Sequence, residues 1–450
     1  MNQGRPLRCR ALSVAICALL GGSAGAANLD YELTLGAGYS DNIARSAQDE
    51  TSEGILAPGL QFSFDQASRR LQADLVGNFA YYKYLDEEFD SELLGNFAGN
   101  ARFMLVPERF EWVVSDNFGQ VLNDPFLPAT PNNRENMNHF VTGPDVIVPF
   151  GSNTRLRAGA RYGMTMYEHQ PFDSDTVMGQ LSLERQLSAF SAVSLNGSVQ
   201  QVNYDESALN GDYDQTETFV RYSAQGARTN LSVDAGYTAL NQDATDTTHS
   251  GLLFRLDLSR RLSASSIVSL SGGHEFANSA GAFAGGQVGL PTNIGAAPGR
   301  QSNQPFMDDH VRLGYSFNRQ RTGFSLSAYR SDRSYKDQPG LDQTLTSLTA
   351  GVTRELTPRT TLSIDGTYGR GNFEQEGDYT DLSGGVSLRW RLSQRVSLGF
   401  SYDHFDRDSD RPQGGYTENR YWLTIGYGRG TPRSSPLPPQ FGVDAALPET

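Results

Sequence analysis

The 450 residues carry 37 Lys and Arg against 51 Asp and Glu, a formal net charge of −14, with 38% hydrophobic and 10% aromatic residues. So acidic a chain is a poor match for nucleic acid, whose phosphates would repel it. Mean hydropathy is −0.47, and past the N-terminus no run approaches the ~20 apolar residues of a membrane-spanning helix.

Arg5, Arg8 and Arg10 precede a short apolar core over residues 11–20, and Ala24-Gly25-Ala26 is a small-x-small step. This pattern predicts a secretory signal peptide over residues 1–26, cleaved near Ala26. Cys9 and Cys17 both lie inside it. The mature chain then has no cysteine and is no disulfide scaffold, although the compartment would permit one. Losing the three arginines makes it more acidic still.

From there the chain alternates apolar and polar residues with a period of two, which predicts strands with one apolar face. Tyr31, Leu33, Leu35, Ala37 and Tyr39 mark the first strand, and Ser40-Asp41-Asn42-Ile43 opens a polar loop. Leu60, Phe62 and Phe64 end the second, and Leu71, Ala73, Leu75, Gly77, Phe79 and Tyr81 make the third. After an acidic loop at 86–90, residues 93–105 run to a turn at Pro107-Glu108-Arg109, and 110–120 lead to a loop with Pro125, Pro128 and Pro131. Tight turns are expected near 149–153, 188–191, 227–230, 259–264, 319–322, 357–359 and 393–395. Longer loops are expected near 168–173, 205–213, 241–247, 277–304, 336–342, 374–378 and 407–415. The clearest stretch comes last. Leu382, Val386, Leu388 and Trp390 are followed by Val396, Leu398, Phe400 and Tyr402, then by Tyr421, Leu423, Ile425 and Tyr427, each set alternating with small or charged residues.

Short and long connections in alternation, with strands of ~9–11 membrane residues, are the mark of a transmembrane barrel. The expected fold is therefore all-β: a transmembrane antiparallel up-and-down β-barrel of about 20 strands, with 18–22 as the range. It occupies residues 27–428 and leaves a Pro-rich periplasmic tail at 429–450. A repeat supports it. Arg185-x-Leu187-Ser188, Arg260-x-Leu262-Ser263 and Arg354-x-Leu356-Thr357 are each followed at the same spacing by Val193-Ser194-Leu195, Val268-Ser269-Leu270 and Leu362-Ser363-Ile364. Each copy reads as a strand end, a tight turn and a strand start. Aromatics gather at strand ends, among them Tyr81, Tyr82, Tyr84, Tyr162, Tyr167, Tyr213, Tyr335, Phe373, Tyr379, Tyr402, Phe405 and Tyr416. They suit the headgroup-level girdles of such barrels.

If the apolar positions face lipid, their neighbours face the lumen. That parity puts Arg155, Arg157, Arg161, Arg255, Asp257, Arg312, Arg389, Arg391 and Asp403 inside as candidate substrate-contacting residues, with Asp74, Glu184 and Asp365 beside them. A barrel of this size, about 40 Å across, is too wide for side chains alone to fill. The Gly- and Ala-rich segment 277–304 is the candidate for folding inward, with a solvated outer loop as the alternative. Nothing points to catalysis, cofactor or metal. His139, His169, His249, His274, His310 and His404 have no ligand or triad spacing, and there is no Gly-x-Ser-x-Gly elbow or P-loop. The acidic run 406–410 reads as a solvated loop before it reads as a cation site.

Gly38-Tyr39-Ser40-Asp41-Asn42-Ile43 resembles the opening of the family described as Putative beta-barrel porin 2, from Gram-negative outer membranes. Tyr402-Asp403-His404-Phe405-Asp406 with Tyr416-Thr417-Glu418-Asn419-Arg420-Tyr421 resembles its closing hairpin. The resemblance implies an outer-membrane location and an association with exopolysaccharide systems, and it transfers no ligand residues. The expectation is a porin-like conduit for an exopolysaccharide or other polar solute, contacting outer-membrane lipid, with the tail as a contact for a periplasmic export partner. The alternative is a structural or surface-binding barrel plugged by its own loops. A first strand so close to the cleavage site leaves no room for the N-terminal plug of an energy-coupled receptor.

Overall fold

The alternation organises twenty strands in the computed structural model, which describes residues 27–206, 211–285, 299–411 and 414–433. In chain order they are β1 (Ala27–Ser40), β2 (Glu53–Ala67), β3 (Leu71–Tyr84), β4 (Glu92–Val106), β5 (Phe110–Leu122), β6 (Arg134–Phe150), β7 (Thr154–Tyr167), β8 (Ser174–Ser188), β9 (Ser191–Tyr204) and β10 (Tyr213–Gln225). The second half comprises β11 (Thr229–Gln242), β12 (Thr247–Ser263), β13 (Ser266–Ala277), β14 (Phe306–Arg319), β15 (Thr322–Ser334), β16 (Gln343–Thr357), β17 (Thr360–Phe373), β18 (Gly377–Arg391), β19 (Val396–Ser409) and β20 (Tyr416–Arg429). A short helix, α1 (Ser279–Gly285), follows β13. The predicted signal peptide and residues 434–450 of the predicted tail lie outside the described residues.

Each strand pairs antiparallel with the next, and β1 closes on β20 from Tyr31↔Arg429 to Ser40↔Arg420. This is a closed antiparallel β-barrel. Closure leaves no sheet edge unpaired, as a wall in hydrocarbon requires. Neighbours on one strand show the two faces: Leu252 is 72% exposed and Leu253 is 1% exposed. Leu33, Leu35, Leu181, Leu183, Val386, Leu388, Leu423 and Ile425 all stand exposed on the outer face. So continuous an apolar belt is untenable in water and suits lipid, the outer-membrane barrel arrangement.

The repeated hairpin folds the same way at each copy. The ladder slips by one residue between Gln186 and Ser188, between Arg261 and Ser263, and between Glu355 and Thr357. The hydroxyls then pair across the turn, Ser188 with Ser191 at 2.7 Å, Ser263 with Ser266 at 2.7 Å and Thr357 with Thr360 at 2.9 Å. A bulge that tightens twist explains why the turn needs a short hydroxyl residue there. The seam is locked by a side chain. Trp422 of β20 points inward and lies over Gly36 and Gly38 of β1, so a Cβ on Gly38 would come within 2.7 Å of the indole.

Two expectations change. Connections at 243–246 and 374–376 are as tight as those at the other end, because their strands run further than the polar residues suggested. The aromatic set divides between the two faces. Tyr81 and Tyr162 are exposed on the lipid side, and Tyr402 stacks on Tyr421 there with ring centroids 5.1 Å apart. Tyr82, Tyr84, Tyr167, Tyr213, Tyr335, Phe373, Tyr379, Phe405 and Tyr416 are buried instead. They pack among themselves and with loops at the outer mouth, because one step along a strand swaps the face. Past β20 the chain turns back at Gly430 (φ +72°), where a Cβ would collide with Asp30. Arg433 then reaches the inner wall. Its backbone N–H donates to the Ser63 hydroxyl at 3.2 Å, and its guanidinium lies 2.8 Å from Asp74.

Candidate functional site

The lumen is built by the residues that alternate with the apolar belt. All nine parity candidates occupy the inner face, but they do not form one site. Arg155, Arg157 and Arg255 line a single cavity of ≈ 380 Å³ with Arg102, Arg221, Glu184 and Glu217, between hydrogen-bonding Gln180, Ser194 and Asn196. Arg161 stands next to it on β7. Elsewhere Arg389 pairs with Glu32 near the seam, and Arg391 donates to the Pro358 carbonyl at 2.7 Å. Arg312 lies over the Tyr329 ring at 4.9 Å. Asp403 and Asp365 face each other across Gly385, whose missing side chain makes room for both carboxylates. Asp257 is on β12, two residues from Arg255.

The cavity wall is a chain of compensated charges. Asp145, 2% exposed, takes Arg157 at 3.1 Å and Arg161 at 2.8 Å. Glu111 takes Arg102 at 3.3 Å and is 3.6 Å from Arg157. Arg155 donates to Glu184 at 2.9 Å. Arg221 grips Asp234 with two bonds of 2.6 Å. Arg255 reaches Glu217 at 2.8 Å and Glu275 at 2.5 Å. Each arginine thus has a carboxylate beside it. The wall presents many donors and acceptors with little net field, and breaking one buried pair would cost about 3–5 kcal/mol. The partners Glu111, Asp145, Asp234, Glu217 and Glu275, with Arg102 and Arg221, escaped the sequence reading although the same parity places them inside. Pairing across strands depends on register, which the sequence did not supply. Among the described residues no group of three metal-ligating side chains converges, and the end of the 406–410 run is spent on structure. There Asp410 accepts the Asp378 backbone N–H at 2.8 Å.

The outer mouth is made differently. The β5–β6 loop, residues 123–133, folds on the Asn133 side chain, which donates to the carbonyls of Asp124 (2.8 Å), Leu127 (3.1 Å) and Pro128 (3.1 Å) and accepts from the Asp124 N–H (2.9 Å). The Asp124 carboxylate in turn accepts the Phe126 N–H at 2.9 Å. This stiff loop drives Phe126, 0% exposed, into a seat formed by Leu345, Phe373 and Tyr379 on the far wall. The Phe126 and Phe373 centroids are 4.5 Å apart, edge to face. Arg411 covers the Phe126 ring at 4.4 Å and Arg407 covers Tyr379 at 4.2 Å. Arginine also fastens the loop backbone: Arg407 donates to the Pro125 carbonyl, and Arg45 donates to that of Ala129 at 3.1 Å.

The segment expected to fold inward does so at both described ends. Asn278 donates to the Tyr213 hydroxyl at 2.7 Å, and Ala280 on α1 packs with Val121, Met137 and Tyr167 across the mouth. Phe283 lies over Gly119, where a Cβ would meet it at 3.3 Å. Ser279 and Ser302 bond to each other twice at 3.0 Å, joining the two ends. Residues 286–298 lie outside the described residues.

The model of the family described as Putative beta-barrel porin 2 matches residues 322–427, which run from β15 into β20. No curated protein matches the chain. Among solved structures it is similar to the siderophore receptor PirA of Pseudomonas aeruginosa, with 12% identity and a TM-score of 0.43 over 90% of this chain and 81% of that chain. It is also similar to the ferric enterobactin receptor PfeA of the same organism, at 11% and 0.46 over 90% and 81%. The FrpB iron transporter of Neisseria meningitidis stands at 9% and 0.46 over 91% and 83%.

Proposed function

We propose that this outer-membrane barrel is a conduit for a neutral, hydrogen-bonding polymer, an exopolysaccharide leaving the cell, and that its outer mouth rests closed. The observation that carries the reading is the compensated lining. Arg102, Arg155, Arg157, Arg161, Arg221 and Arg255 each have a carboxylate within 3.6 Å. A sugar polymer needs many modest hydrogen bonds, and a strongly charged wall would hold ions in preference. The polysaccharide and the outward direction come from the family resemblance.

The closed mouth also favours a second reading, a barrel plugged by its loops with no transport. Planar-bilayer recordings of the intact chain with neutral oligosaccharide added separate the two: a conduit opens, and a permanently plugged barrel stays silent. Deleting residues 124–132 should turn a silent protein into one with stable, weakly ion-selective conductance. An intact barrel that stays silent in every condition, while still folded, is not a conduit.

A further inference from the structure

The seat of Phe126 is more than an apolar hole. Its floor is the rings of Phe373 and Tyr379, and its rim is the guanidinium groups of Arg407 and Arg411, with Arg45 alongside. The β5–β6 loop satisfies this rim with three oxygens: the Pro125 carbonyl on Arg407, the Asp124 carboxylate on Arg411 at 3.2 Å and the Ala129 carbonyl on Arg45. Each guanidinium also has a carboxylate beside it that does not belong to the loop, Glu376 being shared with Arg300 and Glu418 with Arg420. Asp381 is 3.6 Å from Arg407, Glu376 is 3.3 Å from Arg411 and Glu418 is 2.8 Å from Arg45. Without the loop there would remain two aromatic rings and three N–H donor groups, each with a carboxylate within 3.6 Å.

That combination selects its ligand. The rings take a flat apolar surface, such as the C–H face of a pyranose. The donors take oxygens, and because each already has a carboxylate beside it, none depends on the ligand for an anion. Free amino acids and hydrocarbons match one half of the site, and a neutral sugar ring matches both. The loop bound there imitates such a ligand, offering one ring and three oxygens. Its Asn133 spine means that it seats or withdraws as a unit.

We propose that the Phe126 seat is a carbohydrate-binding site for neutral hexose polymers, filled in this structure by the protein's own loop, and that arriving polymer competes Phe126 out and so opens the mouth. This rests on the conduit reading and adds where the cargo is recognised and what releases the closure. A ligand that binds only the loop-out state shifts the population toward it, and removing the competitor strengthens binding.

The test uses the full chain in detergent, with folding checked by heat-modifiable electrophoretic mobility. In Phe126→Trp the new indole reports the seat. Saturating maltohexaose or cellohexaose should shift its emission to the red, and an oligogalacturonate should do so less. Calorimetry should find severalfold tighter binding of the same neutral hexasaccharide to Phe126→Ala, and loss of binding in Tyr379→Leu and Arg407→Gln. The proposal is overturned if neither neutral hexasaccharide moves the emission, if Phe126→Ala binds no better than the natural chain, or if the acidic oligomer binds best. Bilayer recordings of Phe126→Ala keep the two ideas apart. Conductance that neutral hexasaccharides never block overturns the seat and spares the conduit. Sugar binding by a folded barrel that never conducts overturns the conduit and the opening step, and leaves a sugar-binding mouth.

Discussion

The cavity wall and the outer mouth answer the same need, filling a wide barrel, with opposite materials. The wall from β4 to β13 is held by ion pairs between side chains whose backbones are fixed in the sheet, such as Asp145 with Arg157 and Arg161. The mouth is held by rings and loop carbonyls, such as Phe126 against Phe373 and the Ala129 carbonyl on Arg45. The sheet-borne network cannot rearrange without disturbing the barrel. In the proposed opening the loop-borne one lets go while every strand stays paired. The molecule thus separates a wall of paired charges held within the sheet from a mouth held by a loop.

Substitutions can break or sharpen that contrast. The largest effect is expected at Asp145, 2% exposed and shared by two arginines. Asp145→Ala leaves two guanidinium groups without their common counter-charge, and should lower the unfolding free energy in urea by about 3–5 kcal/mol. In a background lacking residues 124–132 it should also move the reversal potential toward anion selectivity. An unchanged reversal potential would mean that the pair does not face the conducting path.

Phe126→Ala should cost the seated loop about 3 kcal/mol and leave urea unfolding of the barrel where it was. The readout is open probability in a bilayer, expected to rise steeply. A matching loss of barrel stability would merge the two regions into one structural unit. Asn133→Ala removes the loop spine and should weaken the closed state by about 1–3 kcal/mol, exposing the 123–133 segment to limited proteolysis while the barrel resists. Protection equal to that of the natural chain would show that the loop is held by its seat alone. The smallest effect belongs to the lipid face. Tyr162→Phe deletes a 2.9 Å bond to Asp175 and should cost only about 0.5–1 kcal/mol, with conductance unaltered. A change in gating there would tie the outer wall to the mouth.

Much of this was legible in the chain. Leu382 to Trp390 and Tyr421 to Tyr427 announce strands, and the Arg-x-Leu-Ser/Thr copies announce hairpins, to which the structure adds a bulge and paired hydroxyls. The inner face of Arg155, Arg157 and Arg255 also follows from parity, yet their partners Glu184, Asp145 and Glu217 required register. The reading of aromatics failed where rings such as Tyr84 and Tyr379 turn inward, because a strand end looks the same in sequence whichever way its last ring points.

By itself the sequence determined the period of two and most of the turns, since these depend on neighbours within one hairpin. Only the tertiary structure decided that Phe126 crosses the mouth, that Trp422 locks β20 over Gly36 and Gly38, and that the lumen charges cancel. Those contacts join residues far apart in the chain, and no local pattern encodes which of many buried rings or carboxylates will meet.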